Sequence, residues 1–195
     1  MIKKYYRFFG GLIALQEKWL NKMAARGLRL VSVSKLCYEF APCEQGRFVY
    51  WVEFIGGKSK ESAEDYARFL EDCGYRVFFK NINLNWSVGK VEARPWADRG
   101  GRIATGSTTY NRELLIVEKQ ADGRPFELHS TLEDRQVYIK SLQRPWLFLF
   151  IAALLAAVFT RSAVGGAFAA LALAGSVSYQ VELAKLKKEE KTREW

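Results

Sequence analysis

Among the residues able to do chemistry, the densest group is a stretch in which cations and aromatic rings are interleaved. Lys80, Lys90, Arg94, Arg99, Arg102 and Arg112 stand against only Glu92 and Asp98, with Trp86, Trp96 and Tyr110 among them. Such a mixture suits a phospholipid headgroup layer, where rings seat at the boundary and charges meet phosphate. It would equally serve single-stranded nucleic acid or an acidic protein surface. Lys90, Arg94, Trp96, Arg99, Arg102 and Arg112 are therefore the candidate partner or lipid surface. The balance tips toward lipid or a protein at the membrane, and away from nucleic acid, because a long apolar segment follows.

Catalytic constellations are missing. The run Gly101-Arg102-Ile103-Ala104-Thr105-Gly106-Ser107 echoes a phosphate loop but lacks the lysine before the hydroxyl residue. His129 is the one histidine, and Cys37, Cys43 and Cys73 form no CxxC pair, so a zinc set has too few ligands at the right spacing. The expectation is reduced thiols, no metal, no cofactor and no enzyme. His129 is read as structural, and Glu64-Asp65 and Glu71-Asp72 as solvated charge on a helix.

The apolar segment sets the context. From Pro145 to Val181 the one charged residue is Arg161. The runs 145–160 and 163–181, as helices rising 1.5 Å per residue, are about 24 and 28 Å long against a hydrocarbon core of about 30 Å. Arg161-Ser162 leaves room only for a tight turn, which predicts a transmembrane helical hairpin over 144–182 and a charged tail over 183–195. Lys140 and Arg144 precede it, and Lys185, Lys187, Lys188, Lys191 and Arg193 follow it. The excess of cations over the single Arg161 predicts cytoplasmic N- and C-termini and a two-pass protein of the cell membrane. Gly166, Ala170, Ala174 and Ser178 recur every four residues, a candidate helix-packing stripe, with Ala153 and Ala157 as a small pair on the other helix. Packing within the hairpin is the first expectation for this stripe. A second copy of the chain or another membrane protein is the alternative. Near the N-terminus, Lys3 and Lys4 before an apolar run resemble an export signal, but Arg7 and Glu17-Lys18 bound that run too closely. It is read as structure.

The residues before the hairpin carry 24 basic and 17 acidic side chains, a balance that favours anionic partners. They also contain a repeat. Residues 5–11 (YYRFFGG) align with 51–57 (WVEFIGG), and 19–29 (WLNKMAARGLR) with 66–76 (YARFLEDCGYR). Each copy reads as aromatic strand, Gly-Gly, amphipathic helix and Gly-x-Arg entering another strand. Ile13, Leu15, Trp19, Leu20 and Met23 form the apolar side of the first helix. Tyr66, Phe69, Leu70 and Cys73 form that of the second, with Ser59 or Ser62 as its cap. Strands are expected at 2–9, 28–40, 48–55 and 75–86. Two β-α-β halves in succession predict an α+β fold, a ferredoxin-like β-α-β-β-α-β sandwich over 1–86. An extension over 87–143 adds the basic loop, a hairpin of 113–119 with 125–128 across Asp122-Gly123, and a connecting helix over 132–142 capped by Ser130 and Glu133. Pro145 is expected to bend the chain into the membrane. The strands carry apolar residues on both faces, so the face opposite the helices needs a cover: the extension, a second subunit or an apolar ligand.

KYYRFFGGLIALQEKWLNKMAARGLRL, LEDCGYRVFFKNINLNWSVGKVEARPW, GGRIAT and YNRELLIVEKQADGRPFELHSTLED together resemble the bacterial family called domain of unknown function 2812. The likeness covers residues 3 to about 135. It implies a membrane-anchored cytosolic protein, often encoded beside PadR-type repressors, and it brings no catalytic residues. The functional expectation is a membrane-anchored interaction or sensing module of regulatory type. The partners expected are membrane lipid and a regulator or membrane protein. The alternative is a domain that binds lipid or a small apolar ligand at the membrane surface.

Overall fold

The computed structural model describes residues 1–84, 86–88, 91–93, 103–104, 112–123, 126, 132–160 and 163–193; those within 86–104, 132–134 and 189–193 are described as backbone alone. The chain forms two compact units, one of residues 1–93 and 103–129, the other of 94–102 and 130–195.

In the first unit the repeat is real. Its first copy is β1 (Lys3–Tyr6), α1 (Ile13–Ala25), β2 (Leu28–Val33) and β3 (Cys37–Pro42). The second begins with β4 (Phe48–Phe54), α2 (Lys60–Asp72) and β5 (Arg76–Lys80). Every residue of α1 lies 47 positions before its counterpart in α2, and so does the glycine that ends it. Gly27 and Gly74 take φ of +75° and +87°, the left-handed conformation that closes a helix without a Cβ penalty. At Gly27 a side chain would also meet the Cys43 carbonyl at 2.8 Å. Ser59 caps α2, its hydroxyl accepting from the Ser62 N–H at 3.1 Å.

Each copy folds as two parallel strands joined by a helix, with an antiparallel strand between them. In the first sheet the order is β1-β3-β2. In the second it is β4-β9-β5, the central place filled by β9 (Leu114–Gln120). The short strands β6 (Trp86–Val88), β7 (Val91–Ala93) and β8 (Ile103–Ala104) pair as a third sheet. This α+β arrangement departs from the single sheet expected of a ferredoxin-like sandwich. The stretch 28–40 is not one strand: the Ser34 N–H bonds the Cys37 carbonyl at 2.9 Å and turns it into a hairpin. The stretch 75–86 is likewise two strands, β5 and the start of β6. Of the hairpin expected across Asp122-Gly123, the returning residues 125, 127 and 128 lie outside the described residues, while β9 itself pairs with β4 on one edge and β5 on the other. Phe126 rests near Trp51 and Tyr75, 6.3 and 5.5 Å between ring centres.

The helices bury slightly different faces from those expected. On α1, Ile13, Trp19, Leu20, Met23 and Ala24 are buried while Leu15 is exposed, and Gln16 takes its place with an amide bonded to the Tyr38 hydroxyl at 3.1 Å. Trp19 meets Tyr38, Phe40 and Tyr5 edge-on, a favourable ring arrangement. On α2, Ala63, Ala67 and Leu70 pack on Ile55, Leu115 and Val117, with Tyr66 partly covered. Phe69 and Cys73 face outward.

The opposite face of the second sheet is filled rather than open. Tyr50, Val52, Leu114 and Ile116 are each at most 1% exposed. Polar groups of the two copies close each other's free strand edges. The Asn21 amide of α1 accepts from the Tyr50 N–H at 2.8 Å and donates to the Tyr50 carbonyl at 2.9 Å, and Glu17 accepts from the Val52 N–H at 3.1 Å. In return the Tyr50 hydroxyl accepts from the Leu30 N–H at 2.8 Å, and Arg76 donates to the Leu30 and Val31 carbonyls. An uncapped strand edge in a buried seam would leave backbone groups unsatisfied.

The second unit is a pair of long helices, α3 (Leu132–Thr160) and α4 (Ala163–Arg193). Both are apolar enough to cross a bilayer, and only 6% of the first apolar span and 22% of the second is buried. The interior helix of a soluble protein would be mostly covered, and this exposure is consistent with a two-pass membrane protein. The helix does not break at Pro145, which lies inside α3, so the connecting helix and the first apolar helix are one. At about 44 and 47 Å, both outreach the hydrocarbon layer and continue as a polar-ended pair. There Gln143 of α3 donates to Gln180 of α4 at 2.9 Å.

Candidate functional site

Along β5 the side chains alternate. Val77 and Phe79 pack toward α2, while Arg76, Phe78 and Lys80 point the other way, toward the first copy. Lys80 is 2% exposed. Its ammonium donates to the Lys35 carbonyl at 2.6 Å and the Asn81 carbonyl at 3.0 Å, and it lies 5.5 Å from the centre of the Tyr38 ring. Burial pushes its pKa down from 10.5 to about 8, with Glu113 opposing that fall. Glu113, fully buried, also accepts from the Ile82 N–H at 3.3 Å.

Beside this buried lysine a cleft of about 550 Å³ opens between residues 31–35 of the first copy and Phe78, Phe79, Asn81 and Arg112 of the second. Arg112 is held in place, 3.0 Å from the Glu64 carboxylate and 4.3 Å from the centre of the Phe79 ring. The Phe78 ring on one wall, a guanidinium at the rim and Ser32 and Ser34 in the lining suit an amphipathic ligand with an anionic end. Lys80 is turned into the protein, so its amine holds the wall and does not face the cleft.

Of the residues read as a partner or lipid surface, Arg112 is placed by the structure at this rim. Lys90, Arg94, Trp96, Arg99 and Arg102 lie outside the residues whose side chains are described, as do His129, Ser130 and Glu133. The small-residue stripe is placed clearly, one residue out of phase with the contact. Gly166, Ala170, Ala174 and Ser178 are exposed, whereas Ala169, Ala172 and Ser176 are buried and Gly165 and Gly175 partly so. A side chain at Gly165 would come within 3.0 Å of Ala157, and one at Gly175 within 2.5 Å of the Trp146 ring; Gly166 has open space. Ala153 and Ala157 do face the hairpin, half-buried as the small pair expected.

One polar cluster escaped the sequence altogether. Glu118 is 3% exposed. One of its oxygens accepts from Arg29 Nε and Nη2 at 2.9 and 2.7 Å, and the other from the Tyr50 hydroxyl at 2.7 Å. The hydrogen bond to Glu118 raises the Arg29 pKa, and burial raises that of Tyr50. The signal was present in Leu114–Gln120, where a lone acid follows four apolar residues. A strand that apolar on both faces is central, and an acid inside it needs a partner. Arg29 comes from the other copy of the repeat and Tyr50 from the neighbouring strand β4, pairings that spacing along the chain could not reveal.

No curated protein and no solved structure gives a significant match to this chain. A family model does match, over residues 13–151, from the start of α1 through both copies of the repeat and into the apolar part of α3. The match therefore joins the first unit to the first membrane-length helix, and the chain belongs to the family described as Protein of unknown function (DUF2812).

Proposed function

We propose that this protein is a membrane-anchored interaction or sensing module, held with its soluble unit and both termini on the cytoplasmic side and acting through a regulator or membrane protein. The observation that carries this reading is the helical pair, whose apolar side chains are left uncovered along the length of a bilayer. Lys140, Arg144, Lys185, Lys187 and Lys188 gather at one end of that pair, which supports the orientation. The test is chemical cross-linking in membranes followed by purification of the full chain in mild detergent. A partner recovered in stoichiometric amount is the expected result. A clean monomer under several growth conditions would overturn it. In parallel, Cys73, exposed at the end of α2, reports sidedness in a Cys37→Ser, Cys43→Ser variant. An impermeant maleimide should label it only after the cells are opened.

A second reading is supported by the cleft beside Phe78 and Phe79. A small amphipathic ligand bound there would make the module a sensor of that ligand. The filled face of the second sheet confines this reading to the cleft. Arg112→Ala should then weaken ligand binding without unfolding the chain.

A further inference from the structure

The strand that starts the first sheet carries more exposed apolar surface than its core uses. Tyr5 turns inward against Trp19 and Phe40, and Phe9 is buried, yet Tyr6 is 73% and Phe8 60% exposed. Across the sheet Tyr6 stands opposite Cys37, and the Arg7 N–H bonds the Leu36 carbonyl at 2.9 Å. That places Leu36, 44% exposed, beside Arg7, the residue between the two rings. Lys3, Arg7 and Lys35 flank them along this edge of the sheet, all exposed, with Arg7 lying 5.4 Å from the centre of the Trp19 ring, and Lys4 shares the side of Tyr6. On β1, β3 and the turn before β3 the one acid is Glu39, which is already paired with Lys4 at 3.0 Å.

We propose that this edge, Tyr6, Phe8 and Leu36 flanked by Lys3, Arg7 and Lys35, rests on an anionic phospholipid surface. β1 is the edge of its sheet, and two adjacent lysines on an edge strand oppose the addition of a strand from another protein. A hydrated headgroup layer needs no such pairing, since water satisfies the edge. Aromatic rings seat at the headgroup level, and each cation near an anionic leaflet strengthens attachment several-fold. The inference rests on the anchored reading above, because the apolar helices keep the patch at high local concentration and let weak contacts suffice.

The experiment uses the full chain in nanodiscs of phosphatidylcholine, with or without phosphatidylglycerol. An environment-sensitive dye is attached at Phe8→Cys in a chain whose own three cysteines are serine. A second chain carries the dye at Cys73 alone. Phosphatidylglycerol should shift the emission of the residue-8 dye to the blue and expose it to quenching by nitroxide lipids. Lys3→Glu, Arg7→Glu and Lys35→Glu together should lower the docked-to-free ratio on the order of a hundredfold. The dye at Cys73 should not respond to those substitutions. A residue-8 signal indifferent to both lipid charge and charge reversal would overturn the proposal. If carbonate strips the chain from membranes, the anchored reading fails separately. Co-sedimentation of the freed chain with phosphatidylglycerol vesicles then decides the patch: charge-dependent binding upholds it, and none rejects it.

Discussion

Lys80 is a residue whose chemistry departs far from its behaviour in water. In the unfolded chain its ammonium persists to about pH 10.5, whereas in the folded chain burial brings that down to about 8. Between those values the unfolded state holds more protons, so the cost of burying the charge is fully present below pH 8 and is relieved as pH rises toward 10.5. Lys80→Met keeps the volume and removes the titration. The stability of the native chain relative to this variant should therefore rise by about 3 kcal/mol across that window, as read by urea denaturation at each pH. Parallel profiles would mean that the buried ammonium does not titrate there. Because the comparison is a difference, alkaline ionisation of the tyrosines and cysteines cancels from it. Lys80 was legible only as one cation in a basic run. Its burial follows from the turn at residues 34–36, which brings the Lys35 carbonyl onto it.

At the scale of elements, the repeat and the membrane-length helices were legible because each rests on a long pattern with local punctuation: Gly27 and Gly74 at the helix ends, and uniform apolarity over 145–181. Phase was less legible. Two stripes of small residues run side by side on α4, and composition does not distinguish them. The Trp146 ring does, since only Gly175 leaves room for it. Gly175→Val should thus loosen the hairpin by about 1–3 kcal/mol through overpacking, seen as earlier unfolding on titration of micelles with dodecyl sulfate. Gly166→Val should leave that midpoint within about 0.5 kcal/mol of the native one. Equal losses at both positions would mean that the helix is rotated from the arrangement described. The strand divisions at 34–36 and 81–85 were missed because apolar alternation persists through the first, and the second is marked only by asparagines.

For the molecule as a whole, the decisive contacts join distant parts of the chain, so the sequence could announce two copies but not how they meet. The mutual capping of strand edges makes them one cooperative body. Asn21→Ala removes both partners of the Tyr50 backbone and should cost about 2 kcal/mol. Hydrogen exchange should then accelerate together at the Tyr50 and Leu30 amides, although they lie in different sheets. Acceleration at Tyr50 alone would make the copies independent. One asymmetry remains between them. The first copy reaches its central strand through a turn at 34–36, the second only after residues 81–113. On the ribosome, β4 and β5 therefore emerge long before the strand that belongs between them. When β9 does arrive, the first membrane-length helix is the next of the described elements to follow. Until β9 arrives the second sheet lacks its centre, and a chain released within that interval carries two unpaired strand edges, open to aggregation or proteolysis.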